Sequence, residues 1–594
     1  MPLSCSKLKI SLLVSTALLS FTAQAADFTI VNGQTVMPQS LNANESGIVE
    51  VGGAIDGATR AIDANGDNIV IKNSGTITVG GDNGINSVGD DVTINSSGTI
   101  TVGGDVGIYA ADANATISNS GAITVDGYVG INSAGANATI NNSGTIDVGN
   151  DLGVYSYGAN ATISNSGTIT AANNAIYSAG ADATINNSGT IRATDVGGLA
   201  VRGDNNNVTL NLLAGSQIIG GIDLGDNGGD NDTVNIYSGS ASAVLDIQNV
   251  ENINLIGVAG FVDGNTVVTA DPTAEAASSV VLADVTSSVH NIVNQRTFIK
   301  SSFKPVQVAS LTLSPGMLFQ EKKPVAWAQV FGGNADSDSQ GSTLAYDSSH
   351  IGFTLGYEWD RNQTRLGVIG GVAHSSAESS DIASFKTESD SYYLGGYGIF
   401  TFDGFNVSTS VLAGYADNDN RRLVFDSVTG FETAEADFDS VFLSPSVTLS
   451  SAYTLADNLE FRPSASINYN MAWVDGYREK GTTNSNFKVD DRTLRVLTAR
   501  AQLAAAYQFT SYSELEFRVG LSSRHSNDDD TDVSLAGNSF SYSNAGDENV
   551  DGRFAGVNLR IADQNNLTLA VDIEFGGNSD EDYVNGQISL AYSF

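Results

Sequence analysis

The sequence predicts an all-β protein in two parts: a three-sided β-solenoid, then an antiparallel β-barrel lying in a membrane. Three observations predict it. Six near-copies of a Ser-Gly-Thr unit run from Ile71 to Ile191, with glycines at Gly75, Gly98, Gly121, Gly144, Gly167 and Gly189, a spacing of 23, 23, 23, 23 and 22. A fixed period in this range marks a stack of identical units. After Val325, about a dozen stretches alternate apolar with polar residues, the pattern of strands with lipid on one side and water on the other. The final residues, Ile588-Ser-Leu-Ala-Tyr-Ser-Phe594, alternate in the same way.

In chain order, residues 1–25 read as a signal peptide. Lys7 and Lys9 are its basic region, residues 10–21 its apolar run, and Ala23-Gln24-Ala25 its cleavage site. Cys5 is the single cysteine and precedes the apolar run, so the exported chain is expected to hold no disulfide and no reactive thiol.

Residues 26–270 read as the solenoid. Isoleucines stand four residues before each repeat glycine (Ile71, Ile94, Ile117, Ile140, Ile163, Ile185) and two after it (Ile77, Ile100, Ile123, Ile146, Ile169, Ile191). A third apolar position recurs at Ile85, Ile108, Ile131, Val154, Ile176 and Leu199. Three inward aliphatics per repeat describe a triangular coil whose columns form one continuous core. Two residues before the glycine, Asn73, Ser96, Asn119, Asn142, Asn165 and Asn187 are placed to hydrogen-bond along a column. The glycine is expected at a corner with positive φ. Thr76, Thr99, Thr145, Thr168 and Thr190 are expected outward. Residues 45–51 read as a degenerate leading rung, and residues 208–212, 232–236 and 252–255 as trailing ones. About ten rungs at the sheet spacing give a length on the order of 50 Å.

Residues 271–323 read as a linker. Asp271 is placed to cap a helix with Pro272 at its first position. Leu282, Val285, Val289, Ile292 and Val293 then keep helical spacing, which predicts a helix over residues 273–300.

Residues 324–594 read as the barrel. Ile351, Phe353, Leu355, Tyr357 and Trp359 point one way, as do Leu497, Ala499, Ala501, Leu503, Ala505, Tyr507 and Phe509. Such strands, about ten residues or longer, with polar stretches at 375–390 and 527–551 read as long loops, suit a closed barrel. Closure also satisfies backbone groups that lipid cannot.

This order of parts resembles the type V secretion (type Va) autotransporters of Gram-negative bacteria. The resemblance spans the chain and is carried by Ala23-Gln24-Ala25, the 23-residue repeats, the helix at 271–300, the stretch Val325-Ala-Trp-Ala-Gln-Val-Phe-Gly-Gly333 and residues 588–594. It implies a right-handed parallel β-helix passenger of about 23 residues per rung, and a C-terminal 12-stranded antiparallel transmembrane β-barrel with an α-helix in its lumen. It also implies a passenger that crosses the outer membrane C-terminal end first and folds outside, where each added rung buries apolar area. The implied partners are the Sec translocon, the outer-membrane barrel-assembly machinery and outer-membrane lipid. Ile588, Leu590, Tyr592 and Phe594 are the expected assembly signal. Some relatives cut their own linker at an Asn-Asn pair. This chain has Asn291 and Asn294 but no such pair, so the passenger is expected to stay attached.

Composition narrows the passenger's role. A net charge of −39 and a pI near 4.1 argue against nucleic acid as a partner. All four histidines, His290, His350, His374 and His525, lie in the helix or barrel, and the passenger's basic residues are Arg60, Lys72, Arg192 and Arg202. A Ser-His-Asp triad or a histidine metal site in the passenger is excluded in its usual form. No cofactor is expected and no enzyme. Gly228-Gly-Asp-Asn-Asp232 is similar to a calcium-binding turn but occurs once and out of phase. Thr-x-Thr pairs at 76–78, 99–101 and 168–170 form an array broken by Ala122, Asp147 and Arg192. Tyr109, Tyr128, Tyr155, Tyr157 and Tyr177 suit contact with a sugar or a protein. The expected role is adhesion to a host surface or to a like passenger. A polysaccharide-active β-helix enzyme and a passive coat are the alternatives.

Overall fold

Each 23-residue unit forms three short strands, and successive units pair in parallel and in register. In the computed structural model, residues 27–204, 207–225, 231–237, 243–298, 324–339, 343–361, 363–379, 385–510, 512–527, 529–543, 549–563 and 566–594 are described. The signal-peptide residues with Ala23 and Ala25, most of the Gly228–Asp232 turn, and the linker after residue 298 lie outside them.

One solenoid face is an 11-stranded parallel sheet and a second a 9-stranded one. Register puts like on like: Ile71, Ile94, Ile117, Ile140, Ile163 and Ile185 are successive partners, none more than 1% exposed. Burying each such isoleucine is worth roughly 1.5–3 kcal/mol. The rung Phe28–Ile30 precedes the leading rung, where the strand is Ser46–Val49. The trailing rungs are Thr209–Leu212, Thr233–Tyr237 and Asn252–Ile256.

Three solenoid expectations need correcting. Positive φ falls not at the repeat glycines but at the preceding corner, where the third strand of one rung leads to the first strand of the following one, on Asn68, Asp91, Asn114, Asn137, Asn160 and Asp182, with φ between 56° and 61°. The repeat glycines are required for closeness instead: a Cβ on Gly144 would collide with the carbonyl oxygen of Gly121 in the rung below. In the third column the partner of Ile176 is Val201, not Leu199, which pairs with Asn174, because the last repeat is longer before this strand. Finally, the solenoid does not run to Ala270. Ala259–Asp263 and Thr266–Ala270 form an antiparallel hairpin, and Thr266–Ala270 pairs in turn with the last strand of the third face, Ala243–Gln248.

The helix α1 is Thr273–Arg296, one residue later than the capping pattern implied, with Pro272 at the N-cap position. Asp271 still serves the end, since its Oδ1 accepts from the Thr273 amide at 3.0 Å. Helix side chains are buried on every face rather than along one stripe, because barrel wall surrounds it.

Twelve antiparallel strands form the barrel: β1 (Val325–Ser337), β2 (Tyr346–Arg361), β3 (Thr364–Ser379), β4 (Phe385–Thr401), β5 (Asn406–Asp426), β6 (Gly430–Ser450), β7 (Leu459–Val474), β8 (Arg492–Thr510), β9 (Ser513–Ser526), β10 (Asn549–Ala562), β11 (Leu567–Gly577) and β12 (Glu581–Ser593). Each pairs with the next, and β12 pairs with β1 from Val325 opposite Ser593 to Ser337 opposite Glu581, so no edge is left open to lipid. The stretches read as long loops hold more strand than expected. Residues 375–379 and 385–390 continue β3 and β4. Within 527–551, Thr531–Leu535 and Asn538–Tyr542 form a hairpin that joins Tyr477–Arg478 and Lys488–Val489 in a four-stranded sheet.

Outward apolar residues form the lipid face, with Ile351 59%, Leu355 54% and Leu503 52% exposed. Exposed aromatics gather at two levels. Tyr392 and Tyr415 are partners on one level, which continues through Val441 to Trp473. Trp359, Phe400, Phe402, Tyr507, Phe509, Tyr512, Tyr592 and Phe594 mark the other. The eight steps from Tyr392 to Phe400 span about 26 Å along the strand at roughly 3.3 Å each, or roughly 20 Å of height at the usual tilt of about 40°, near that of an outer-membrane apolar band. Short turns and both barrel ends lie at the second level, which is the inner one.

Candidate functional site in the lumen and on the solenoid

The lumen is occupied by α1, which descends from the outer mouth to the inner rim. Polar side chains that strand alternation turns inward meet it along its length. At the mouth the Leu344 amide donates to Thr273 Oγ1 at 2.8 Å, and the Tyr477 hydroxyl donates to Glu275 Oε1 at 3.0 Å. Midway, Thr286 Oγ1 donates to Asn470 Oδ1 at 2.8 Å. The imidazole of His290 lies between the hydroxyls of Ser410 and Ser444, at 2.8 and 2.7 Å. At the inner end Arg296 Nε and Nη2 form a two-pronged pair with Glu358 at 2.5 and 2.6 Å. The Tyr397 hydroxyl donates to the same carboxylate at 2.6 Å, and the Arg296 guanidinium lies 4.9 Å from the Trp327 ring centre. Arg365 completes the clamp by donating to the Arg296 carbonyl at 2.9 Å.

Lumen aromatics need room to turn inward. Phe442 lies over Gly414 and Trp327 over Gly356, where a Cβ would collide with the ring. The wall beyond the helix carries a charged network. Arg462 reaches Glu514 and Glu516, both at 2.7 Å. Arg518 reaches Asp572 at 2.5 Å and Glu574 at 3.0 Å. Asn291 and Asn294 line a cleft of about 60 Å³ between helix and this wall, opposite Arg462, Arg500 and Glu516. Sequence reading missed this network, because residues such as Arg462 and Glu514 are far apart in the chain and carry no motif.

Above the outer aromatic level the four-stranded sheet covers the mouth. Phe487, Val489, Val533 and Tyr477 are buried within it. Arg422 pairs with Glu479 at 2.5 Å and lies 4.1 Å from the Phe487 ring centre.

The second candidate is the solenoid surface. Inside the corner before the glycines, the predicted ladder forms: Asn119 donates to Asn142 at 2.9 Å, Asn142 to Asn165 and Asn165 to Asn187 at 2.8 Å, and Asn187 to Ser216 at 2.7 Å. Over this corner runs a groove of about 600 Å³ along the axis, with Lys72, Asn95, Ser118, Asn141, Ser164 and Asn186 at equivalent places in successive rungs. A second, exposed ladder links Asn114, Asn137 and Asn160 at 3.2 Å each; the recurrence of asparagine at this place was the unread signal. On the threonine face, Ala122 stands in one threonine column, opposite Thr99, and Asp147 and Arg192 in the other, opposite Thr124 and Thr170.

The tyrosines divide. Tyr128 and Tyr157 are 59% and 62% exposed. Tyr155 and Tyr177 stack on each other at 5.0 Å, and Arg202 covers the outer ring at 4.6 Å, so their faces are spent within the protein. The Tyr177 hydroxyl donates to Asp204 at 2.6 Å. Burial first, then that bond and the Asp204 charge, push its pKa up to about 12. Ile588, Leu590, Tyr592 and Phe594 are exposed at 55%, 47%, 45% and 53%, the three β12 residues facing lipid from the strand that closes the barrel.

Residues 326–579 match the family model for the Autotransporter beta-domain. Outer membrane protein A of Rickettsia conorii is 26% identical over 214 residues, which are 34% of this chain and 10% of that protein; this chain thus spans about a tenth of that relative's length. The same protein of Rickettsia rickettsii matches at 26% over 9% of its length. Among solved structures, the translocator domain of the autotransporter NalP from Neisseria meningitidis matches with a TM-score of 0.43 and 14% identity, over 55% of this chain and all of that one.

Proposed function

We propose, from the premise that this chain is an outer-membrane autotransporter with its beta-domain at residues 326–579 and a β-solenoid passenger on the cell surface, that the passenger acts in adhesion or self-aggregation. The groove of about 600 Å³ carries the reading: it repeats amide and hydroxyl groups once per rung, an arrangement suited to many weak contacts along one surface. Its lining of asparagine and serine with Lys72 and Leu213 holds, among the described residues, none of the paired carboxylates that glycoside cleavage uses, which weighs against the enzyme alternative. The passenger is proposed to remain attached. Export draws on the Sec translocon and the barrel-assembly machinery, with Ile588, Leu590, Tyr592 and Phe594 as the assembly signal.

The test compares cells displaying the full protein with cells displaying it without residues 27–270. Cell–cell aggregation and attachment to matrix proteins and epithelial cells are scored. The expected outcome is loss of one or both on deletion, with equal barrel levels. Unchanged scores with the passenger shown at the surface would leave a passive coat or an enzyme as the better account.

A further inference from the structure

Strands β5 and β6, 21 residues each, are the longest of the barrel. Their hairpin rises past the outer aromatic level at Tyr415, and its turn enters the base of the solenoid. There Ala243–Gln248, the last strand of the solenoid's third face, pairs in parallel with the tip of β5, Ala243 opposite Phe425 and Val244 opposite Asp426. The Ser427 amide donates to the Val244 carbonyl at 2.9 Å, and the Gly220 amide donates to the Ser427 carbonyl at 2.7 Å. The Asp246 amide donates to Ser427 Oγ at 3.0 Å. Phe425, 2% exposed, packs in the continuous solenoid core with Leu245, Ile247 and Val267. The barrel thus contributes both backbone partners and a core side chain to a coil more than 150 residues earlier in the chain.

The turn also has bonds of its own. Asp426 Oδ1 accepts from the amides of Val428 and Thr429 at 2.7 and 3.0 Å, and Phe425 stands opposite Phe431 across the hairpin. A solenoid end is costly, because it leaves a strand edge unpaired and a core open. The first rung to form has the further difficulty that no neighbour exists to receive it.

We propose that the β5–β6 hairpin is a built-in rung at the base of the solenoid, wedged between Gly220 and Ala243–Gln248: it is the edge on which Ala243–Gln248 pairs first as it emerges, and it holds that strand against the core thereafter, while Thr266–Ala270 covers the strand's opposite edge. This rests on the export reading above, in which the C-terminal end of the passenger emerges first. The partner recognised is this chain's own segment, by parallel strand pairing and insertion of Phe425. The exit hairpin Ala259–Ala270 is held beside it, with Phe261 5.9 Å from Phe540 of the mouth sheet and Asn538 donating to Asp263 at 2.8 Å.

Two variants of the full chain test it. In the first, residues 425–431 are replaced by Asn-Gly, joining Val424 to Glu432, which already face each other. Barrel assembly is read by heat-modifiable gel mobility, and passenger folding by protease digestion of intact cells. The expected result is an assembled barrel whose surface passenger is digested at least about tenfold faster, since cleavage follows the population of the open form. Digestion at the unmodified rate would overturn the proposal. In the second, Asp246→Cys and Ser427→Cys are combined in a Cys5→Ser background. A disulfide in most surface-displayed chains is expected. Surface display without it overturns the joint, also where the first variant fails to assemble. Failure of the unmodified passenger to reach the surface at all would instead overturn the export reading.

Discussion

At Gly144 and Asn137 the solenoid assigns its two corner tasks to different residues. Gly144 lacks a side chain because the Gly121 carbonyl occupies the space a Cβ would take. Asn137 adopts φ 60°, which a short amide tolerates and which its ladder bond to Asn114 at 3.2 Å rewards. Gly144→Ala is therefore expected to destabilise the solenoid by about 1–3 kcal/mol through overpacking, while Asn137→Gly, at a positive φ that glycine adopts freely, costs under about 1 kcal/mol. Denaturant midpoints for loss of protease resistance would rank the two. Equal shifts would contradict the division. Glycine recurrence alone could not separate the tasks, because closeness of rungs and positive φ leave the same residue in a sequence. The asparagine column at 114, 137 and 160 was the missing signal.

At the scale of elements, α1 is recognisable from its apolar spacing but not in its role. Helical periodicity reports which residues avoid water. It does not report that Arg296 ends in a buried two-pronged pair with Glu358, side chains 3% and 2% exposed. Removing one partner of such a pair leaves an uncompensated charge, at a cost of about 3–5 kcal/mol. Arg296→Met is expected to loosen the inner end of the helix and raise single-channel conductance of the purified protein in planar bilayers. Arg296→Met with Glu358→Gln is expected to recover much of the closed behaviour, since both charges are gone. Unchanged conductance in the single variant would show that the clamp does not hold the plug. The strands were legible for the opposite reason. Alternation of period two persists through Ile351, Phe353 and Leu355 wherever lipid lies on one side, yet the same alternation hid where membrane strand ends and projecting hairpin begins, as at 375–390.

At the scale of the whole molecule, barrel closure depends on β12 meeting β1 across thirteen residue pairs. The exposed Phe594 stands 5.3 Å from Tyr592, ring centre to ring centre, edge to face. Deletion of Phe594 is expected to lower the heat-modifiable outer-membrane form to a small fraction of the unmodified level. A normal level would remove Phe594 from the proposed assembly signal. The charge of −39 belongs to this scale too, as a property of solubility and association rather than of fold.

By itself, the sequence determined the periodic features: the coil and its three inward columns, the inner asparagine ladder, the lumenal helix's extent to within a few residues, and a barrel with apolar residues outward. Periodicity encodes these because each residue's direction depends on its position within one element. Only the tertiary structure decided what no single element contains: the Arg296–Glu358 clamp, the charged lumen wall, the sheet over the mouth, and the entry of Phe425 into the solenoid core. These join residues tens to hundreds of positions apart, and their pairing depends on where the packed barrel and coil bring them, not on any spacing along the chain.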